Sequence, residues 1–428
     1  MRTLVLSWEY PPAVVGGLGR HVHALSEAMA AAGHEVTVIS RHAPGAPADE
    51  IVNGVRVIRV PDDPPLFEFN PETLLAWTMA FNHAVTRAAL AVCDEIQPEV
   101  VHAHDWLVAH AAATLKHHLG VPLVATMHAT EAGRHQGWLP GDLNRSIHSV
   151  EWWLTYEARR VLACSEYMRW QITQLFELPP AKVDTVPNGV HPQDWKVSAA
   201  AVRTVRRTYG STLDAPLLLF SGRLVYEKGL QDILAALPRL RRRHPGLRLV
   251  VAGDGPYGDE LRAQARRLRL GKSVQWLGFV PGRQLASLAA AADCALVPSI
   301  YEPFGMVALE AAAAGATLVL SDTGGLAELA KNGVSALQVP AGSPAAIADA
   351  VSRLLRDEVL SRRLSRQARA VATRDYAWPR IAEQVIETYE QAVIEERELA
   401  AALRRTGRAP TPLRIVVPDG NLLADGTD

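Results

Sequence analysis

The stretch Ala215-Pro-Leu-Leu-Leu-Phe-Ser-Gly-Arg-Leu-Val-Tyr-Glu-Lys-Gly229 decides how the chain is read. An apolar run, Ala215–Phe220, stops at Ser-Gly, and helical spacing begins only after Gly229. A buried strand, a glycine turn and a helix start have this form. The same grammar then repeats: Arg248–Ala252, Val274–Trp276, Cys294–Val297, Thr317–Leu320 and Ala336–Val339 read as strands with helices between them. An earlier series precedes it. Thr3–Trp8, Glu35–Arg41, Val55–Val60, Glu99–His102 and Pro122–Met127 read as strands, with helices over Leu18–Ala32 and Pro71–Ile96. Near-continuous apolar strands alternating with helices are parallel strands covered on both faces. Two such series, separated by the less regular His191–Asp214, predict an α/β fold of two Rossmann-like domains facing each other. Ligands of such sheets sit at the C-terminal strand ends, so the site is expected in the cleft. The expected boundaries are 1–195 and 196–378, then a helix within 379–402 and a tail over 403–428 without helical periodicity.

Bulk properties agree. A chain of 428 residues exceeds one ordinary core, and 48% hydrophobic residues suffice for two. The 44 basic and 45 acidic side chains leave a formal charge of −1, which argues against a general nucleic-acid binder. Cys93, Cys164 and Cys294 are few, odd in number and far apart, so they read as buried thiols, not as a disulfide or metal framework. Glu9 and Pro11-Pro12 cut the first apolar run too short for a signal peptide. No stretch approaches the ~18 apolar residues of a membrane span. A soluble, cytoplasmic protein is expected; a homo-oligomer is compatible with the sequence.

Three loops carry chemistry. Glu9-Tyr-Pro-Pro-Ala-Val-Val-Gly-Gly-Leu-Gly19 lies between a strand and a helix, where backbone N–H groups can meet an anion. A plain tight turn is the equal alternative, and the spacing is not G-x-G-x-x-G, which counts against a dinucleotide site. In Ser221–Gly229, Arg223 and Lys228 could neutralise a leaving diphosphate; a solvated loop with a Glu–Lys pair is the alternative. In Tyr301-Glu-Pro-Phe-Gly-Met-Val-Ala-Leu-Glu310 a helix is expected to begin near Gly305, freeing the N–H groups of Gly305, Met306 and Val307 for phosphate oxygens. Glu302 and Glu310 flank that turn, and carboxylates accept pairs of hydroxyl hydrogens, as polyol recognition requires.

Glu-Pro-Phe-Gly…Glu, the Gly-Arg-x4-Lys-Gly cluster and the first-loop Gly-Gly, in this order over about residues 1–395, resemble the signature of retaining family 4 glycosyltransferases with the GT-B fold. His102-Ala-His-Asp-Trp106 resembles the glycogen and starch synthase branch. Thr126-Met-His-Ala-Thr-Glu-Ala-Gly-Arg-His-Gln-Gly-Trp138 looks like the actinobacterial α-1,4-glucosyltransferases of glycogen and methylglucose lipopolysaccharide synthesis. The resemblance implies that Gly16 and Gly17 approach the donor phosphates and that His128 bonds the 6-hydroxyl of the transferred sugar. It implies that Arg223 and Lys228 bind the diphosphate, Glu302 holds the 3- and 4-hydroxyls, and Gly305, Met306 and Val307 supply backbone donors. Glu310 would take the ribose, Gly278, Phe279 and Val280 would lie near the base, and the last helix would cross back onto the first domain. Asp105, Trp106 and Glu131 fall on the acceptor side. Bacterial glycogen synthases carry Lys directly before the Gly-Gly pair; Val15 stands there, which weakens dependence on ADP-glucose and admits UDP-glucose.

The implied reaction transfers glucose from UDP-glucose or ADP-glucose to an α-1,4-glucan or maltooligosaccharide by a same-face displacement, with no cofactor and no metal. His102, His104 and Asp105 mimic a metal cluster, yet the resemblance implies none; His21 and His23, two apart on a helix, read as surface residues. Two rivals remain. A lipid-linked or other small-acceptor transferase would dock on membranes through a basic helix, but Pro71–Ile96 carries Arg87 as its only Lys or Arg. A sugar-nucleotide-binding protein without transferase activity would not need the full set of cations and glutamates.

Overall fold

The computed structural model describes residues 1–14, 16–61 and 68–405. Val15, and the tail from residue 406, lie outside the described residues. The first sheet has eight strands: β1 (Arg2–Leu6), β2 (Glu35–Arg41), β3 (Asp49–Val52), β4 (Val55–Val60), β5 (Val100–His104), β6 (Leu123–Met127), β7 (Arg160–Ala163) and β8 (Val183–Thr185), in the order β3-β4-β2-β1-β5-β6-β7-β8. The second has six: β9 (Leu217–Ser221), β10 (Arg248–Ala252), β11 (Val274–Gly278), β12 (Cys294–Val297), β13 (Leu318–Ser321) and β14 (Leu337–Val339), in the order β11-β10-β9-β12-β13-β14.

Both sheets are built around their first strand. Leu4 of β1 aligns with Thr37 of β2 and Val101 of β5; Leu219 of β9 aligns with Val250 of β10 and Ala295 of β12, all parallel. Central strands covered on two faces need apolar side chains on both, and Leu4, Val5, Leu6, Leu217, Leu218, Leu219 and Phe220 are all buried. In each sheet the strand order reverses at that first strand, so the loops leaving it open at the topological switch point. Only β3 runs antiparallel among the pairings described, in a hairpin with β4. Its turn is Asn53-Gly54, both with positive φ (50° and 83°), which suits the twist of a two-residue hairpin.

The chain divides into two compact units. One comprises Met1–Thr126, Ser149–Val161 and the chain from Ile386 onward. The other comprises Met127–His148 and Leu162–Val385, so 127–148 and 162–195 group with the later residues. The last helix, Trp378–Arg405, runs on past the expected end at 402 and changes unit at Ile386. In its first turns Trp378 packs on Gly189, and Ala377 bridges to Val190. Further on, the fully buried Tyr389 shares a 2.6 Å hydrogen bond with Nδ1 of His102, whose Nε2 meets Thr126 Oγ1 at 2.7 Å. Arg159 and Arg160 pair with Glu396 and Glu395 of the same helix. Among the described residues no helix is long and apolar enough to cross a membrane.

Candidate active site

In the second unit β9 delivers Ser221, and the chain turns through Gly222 to Arg223. Arg223 is half exposed and stands 3.9 Å from Glu227. Lys228 ends the short helical turn Tyr226–Lys228 and puts its ammonium 2.7 Å from Oε2 of Glu302. The Ser299 hydroxyl donates to the same oxygen at 3.0 Å. Two donors therefore fix one carboxylate oxygen, and Oε1 takes part in neither bond. A carboxylate clamped at one oxygen presents the other in a set direction, which suits recognition of sugar hydroxyls.

The backbone around Glu302 is equally fixed. The Ile300 N–H donates to Glu227 O at 2.7 Å, joining this loop to the Lys228 loop. The Ser165 hydroxyl donates to Pro303 O at 2.6 Å, and the Gly325 N–H donates to Glu302 O at 2.9 Å. Gly324 holds φ +51°, and a Cβ there would run into Glu302 O, so any side chain would displace the glutamate's own peptide. Sequence reading missed Ser165, Ser299, Gly324 and Gly325. The glycine pair was the available signal, because Thr323-Gly-Gly325 follows β13 and opens a helix just as the first loop does.

Four residues beyond Glu302 the helix Met306–Ala314 begins, capped by Gly305 at φ 107°. The first turn of a helix leaves its N–H groups without intrahelical partners, and Met306 and Val307 lie in that turn. The helix is buried along nearly its whole length, and its other residues are Met, Val, Ala and Leu. Glu310 is therefore a carboxylate buried in apolar company, which costs desolvation and marks it as functional or tightly partnered. Gly278 ends β11 and its carbonyl accepts the Gly253 N–H at 2.7 Å; Phe279 is 83% exposed, and Val280 is buried.

His128 follows β6 in the same unit. Burial pushes its imidazole pKa down to about 4, so at neutral pH it is an uncharged hydrogen-bonding group. Glu131 opens the short helix Glu131–Arg134, where Asn144 donates to its carboxylate and His135 lies 3.4 Å away.

The remaining candidates belong to the first unit. Gly17 starts the helix Gly17–Ala31, but the Gly16 N–H already donates to Glu9 Oε2 at 3.0 Å, so that amide meets a carboxylate here. Asp105 is buried at φ 60°, ψ 175°, a backbone region that costs a non-glycine residue about 1–3 kcal/mol and tends to occur at functional sites. Trp106 follows it in a single helical turn. The surface position expected for His21 is corrected: it is buried, its ring 5.5 Å from that of His104, because its face of the helix packs inward.

Two family models match the chain: Glycosyltransferase Family 4 over residues 15–194 and Glycosyl transferases group 1 over residues 202–371. A protein named glycogen synthase from Mycobacterium tuberculosis is 44% identical over 409 residues, covering 93% of this chain and 96% of that one. The chain belongs to the family 4 glycosyltransferases. This glycosyltransferase is also 33% identical to a D-inositol 3-phosphate glycosyltransferase of Actinosynnema mirum, over 88% of the chain and 92% of that relative. Among solved structures it matches a sucrose-phosphate synthase from Thermosynechococcus elongatus with a TM-score of 0.79 at 25% identity, covering 91% and 98% of the two chains. The α/β architecture read from the sequence, in its GT-B form, is the one the glycosyltransferase has.

Proposed function

We propose that this glycosyltransferase transfers glucose, with retention at the anomeric carbon, from UDP-glucose or ADP-glucose to an α-1,4-glucan or maltooligosaccharide. It does so in the cytoplasm, in glycogen or methylglucose lipopolysaccharide synthesis, without a bound metal ion. The observation that carries the reading is the Lys228–Glu302 pair set directly ahead of the helix N-terminus at Gly305. A cation, a carboxylate held at one oxygen and a helix N-terminus brought together in this way support the binding of a diphosphate beside a sugar. The 44% identity to a protein named glycogen synthase supports glucose and a glucan as the substrates.

In this reading the acceptor hydroxyl oxygen forms a bond to the anomeric carbon on the face from which the phosphate leaves. The bond from that carbon to the phosphate oxygen breaks, and the departing phosphate takes the acceptor's proton. Lys228, Arg223 and the amides of Gly305, Met306 and Val307 stabilise the departing charge; Glu302 and the neutral His128 hold the sugar. Most of the acceleration comes from positioning and charge stabilisation. The test is a matrix of UDP-, ADP- and GDP-sugars against maltooligosaccharides, glycogen, inositol phosphate and lipid acceptors, with products sized and linkage-digested. Elongation through α-1,4 links from a glucose nucleotide supports the reading. Preference for an inositol or lipid acceptor, or donor binding without turnover, overturns it.

A further inference from the structure

The sugar-holding elements of the second unit are joined by buried hydrogen bonds that the roles assigned above do not use. Thr130, two residues after His128, accepts the Gly133 N–H at 3.0 Å and donates its hydroxyl to Oε1 of Gln171 at 2.9 Å. Tyr301, the neighbour of Glu302, donates its phenol to the same Oε1 at 3.1 Å. The Gln171 amide nitrogen donates to the Tyr167 hydroxyl at 3.1 Å. Thr130, Gln171 and Tyr301 are all buried. An amide oxygen has two lone pairs, and here each takes one hydroxyl, one from either loop. Gln171 itself sits on the helix Glu166–Leu175, anchored because Ser165 caps its Met168 N–H at 3.1 Å and Glu328 accepts the N–H groups of Glu166 and Tyr167.

We propose that Gln171 is a positioning residue: by receiving Thr130 and Tyr301 on one oxygen, it fixes the Glu302 carboxylate relative to the His128 loop and so sets both groups on the transferred sugar. The inference rests on the reading that Glu302 and His128 hold that sugar. Two further features support it. Burial raises the Tyr301 phenol well above its ordinary pKa, so it remains a donor at every working pH. Gly133 covers the junction so closely that a Cβ would come within 2.7 Å of the Tyr301 hydroxyl, Gln171 Oε1 and Thr130 Oγ1 together. The junction has no room for a methyl, so its spacing is set by direct hydrogen bonds.

The experiment is steady-state kinetics of Tyr301→Phe, Gln171→Leu, Thr130→Val and Thr130→Ser with UDP-glucose and maltooligosaccharide. Titration of free UDP and circular dichroism accompany each variant. Misplacing a group that holds the reacting sugar lowers kcat, whereas the groups assigned above to the nucleotide, Arg223, Lys228 and Glu310, are not part of the junction. The expected result is a fall in kcat of about 10-fold in the first three, the size of one buried hydrogen bond left unmade. UDP affinity should stay within about 2-fold, and Thr130→Ser, which keeps the hydroxyl, should regain most of the loss. A kcat within about 2-fold of wild type in folded Tyr301→Phe and Gln171→Leu overturns the proposal, as does equal loss in Thr130→Ser and Thr130→Val, or a parallel loss of UDP affinity. Wild type run alongside separates this from the substrate reading. If it uses a different sugar nucleotide, the glucose assignment fails, and the same split is scored on that sugar.

Discussion

Glu302→Gln should tighten the binding of free nucleotide diphosphate while nearly abolishing turnover. Lys228 is engaged at 2.7 Å by Glu302, and each side chain keeps part of its surface open to solvent. A diphosphate that recruits Lys228 must share that cation with the carboxylate. Removing the carboxylate charge but keeping its shape releases the ammonium from its competitor. An ion pair at the exposed end of the scale is worth about 1 kcal/mol, which converts to an affinity gain of about 5-fold for UDP or ADP. Turnover moves the other way. Glutamine keeps one acceptor oxygen, but under the proposed function it loses the charge-assisted bonds to the sugar, which would strengthen as positive charge develops at the anomeric carbon. Two such bonds at about 1.5–3 kcal/mol each predict a kcat loss of 100-fold or more. The assay pairs calorimetric titration of the free diphosphate with initial rates at saturating donor, after circular dichroism has confirmed folding. Unchanged or weaker diphosphate affinity, or a kcat within 10-fold of wild type, would refute the reasoning.

Other perturbations separate the remaining roles. Glu310→Gln should weaken donor and free diphosphate alike, by roughly 10- to 150-fold, since its assigned partner is the non-reacting ribose; equal affinity in folded Glu302→Gln and Glu310→Gln ends that division of labour. Activity should survive EDTA, because Arg223, Lys228 and helix amides supply positive charge; loss of most turnover, restored by Mg²⁺ or Mn²⁺, would sink this. His128 should titrate near pH 4 in histidine NMR spectra, and a midpoint near 6.5 would contradict its burial. Its folded pKa lies below the unfolded 6.5, so the unfolded chain binds the extra proton first. Its contribution to stability is complete above about pH 6.5 and declines as pH falls towards 4, by roughly 3 kcal/mol in all. The urea midpoint of wild type should therefore fall relative to that of His128→Gln as pH drops between those values.

Much of the architecture was legible because buried parallel strands are written as unbroken apolar runs. Arg248–Ala252 and Cys294–Val297 were read at their observed bounds. β3 was missed because Asp49-Glu-Ile-Val52 is short and largely exposed, although Asn53-Gly54 announced the hairpin. β7 was missed because Arg160-Val-Leu-Ala163 follows a helix with no Gly or Pro between them, and β8 because Val183-Asp-Thr185 is short and carries a charge at its centre. In the candidate site, Lys228 and Glu302, which the structure pairs at 2.7 Å, could be singled out because each sits in a dense local cluster of chemical groups. Ser165, Gln171 and Gly324 were not, since folding alone brings them to Glu302 from over a hundred residues away or from a neighbouring strand end. The two compact units were not legible as a single cut either, because residues 127–148 and 162–195 lie with Glu302 in space and not in chain order.

The Tyr389–His102 bond bears on how the protein is made. Residues 1–126 leave the ribosome well before the last helix, since the buried partner of the His102 imidazole is encoded about 290 codons after it. At roughly 5–20 residues per second, the nascent first sheet waits some tens of seconds for its last piece. During that interval a buried imidazole and the apolar face beneath the final helix stand open to chaperones or to other nascent chains. A message truncated just before Ile386 would thus damage the beginning of the protein more than its end.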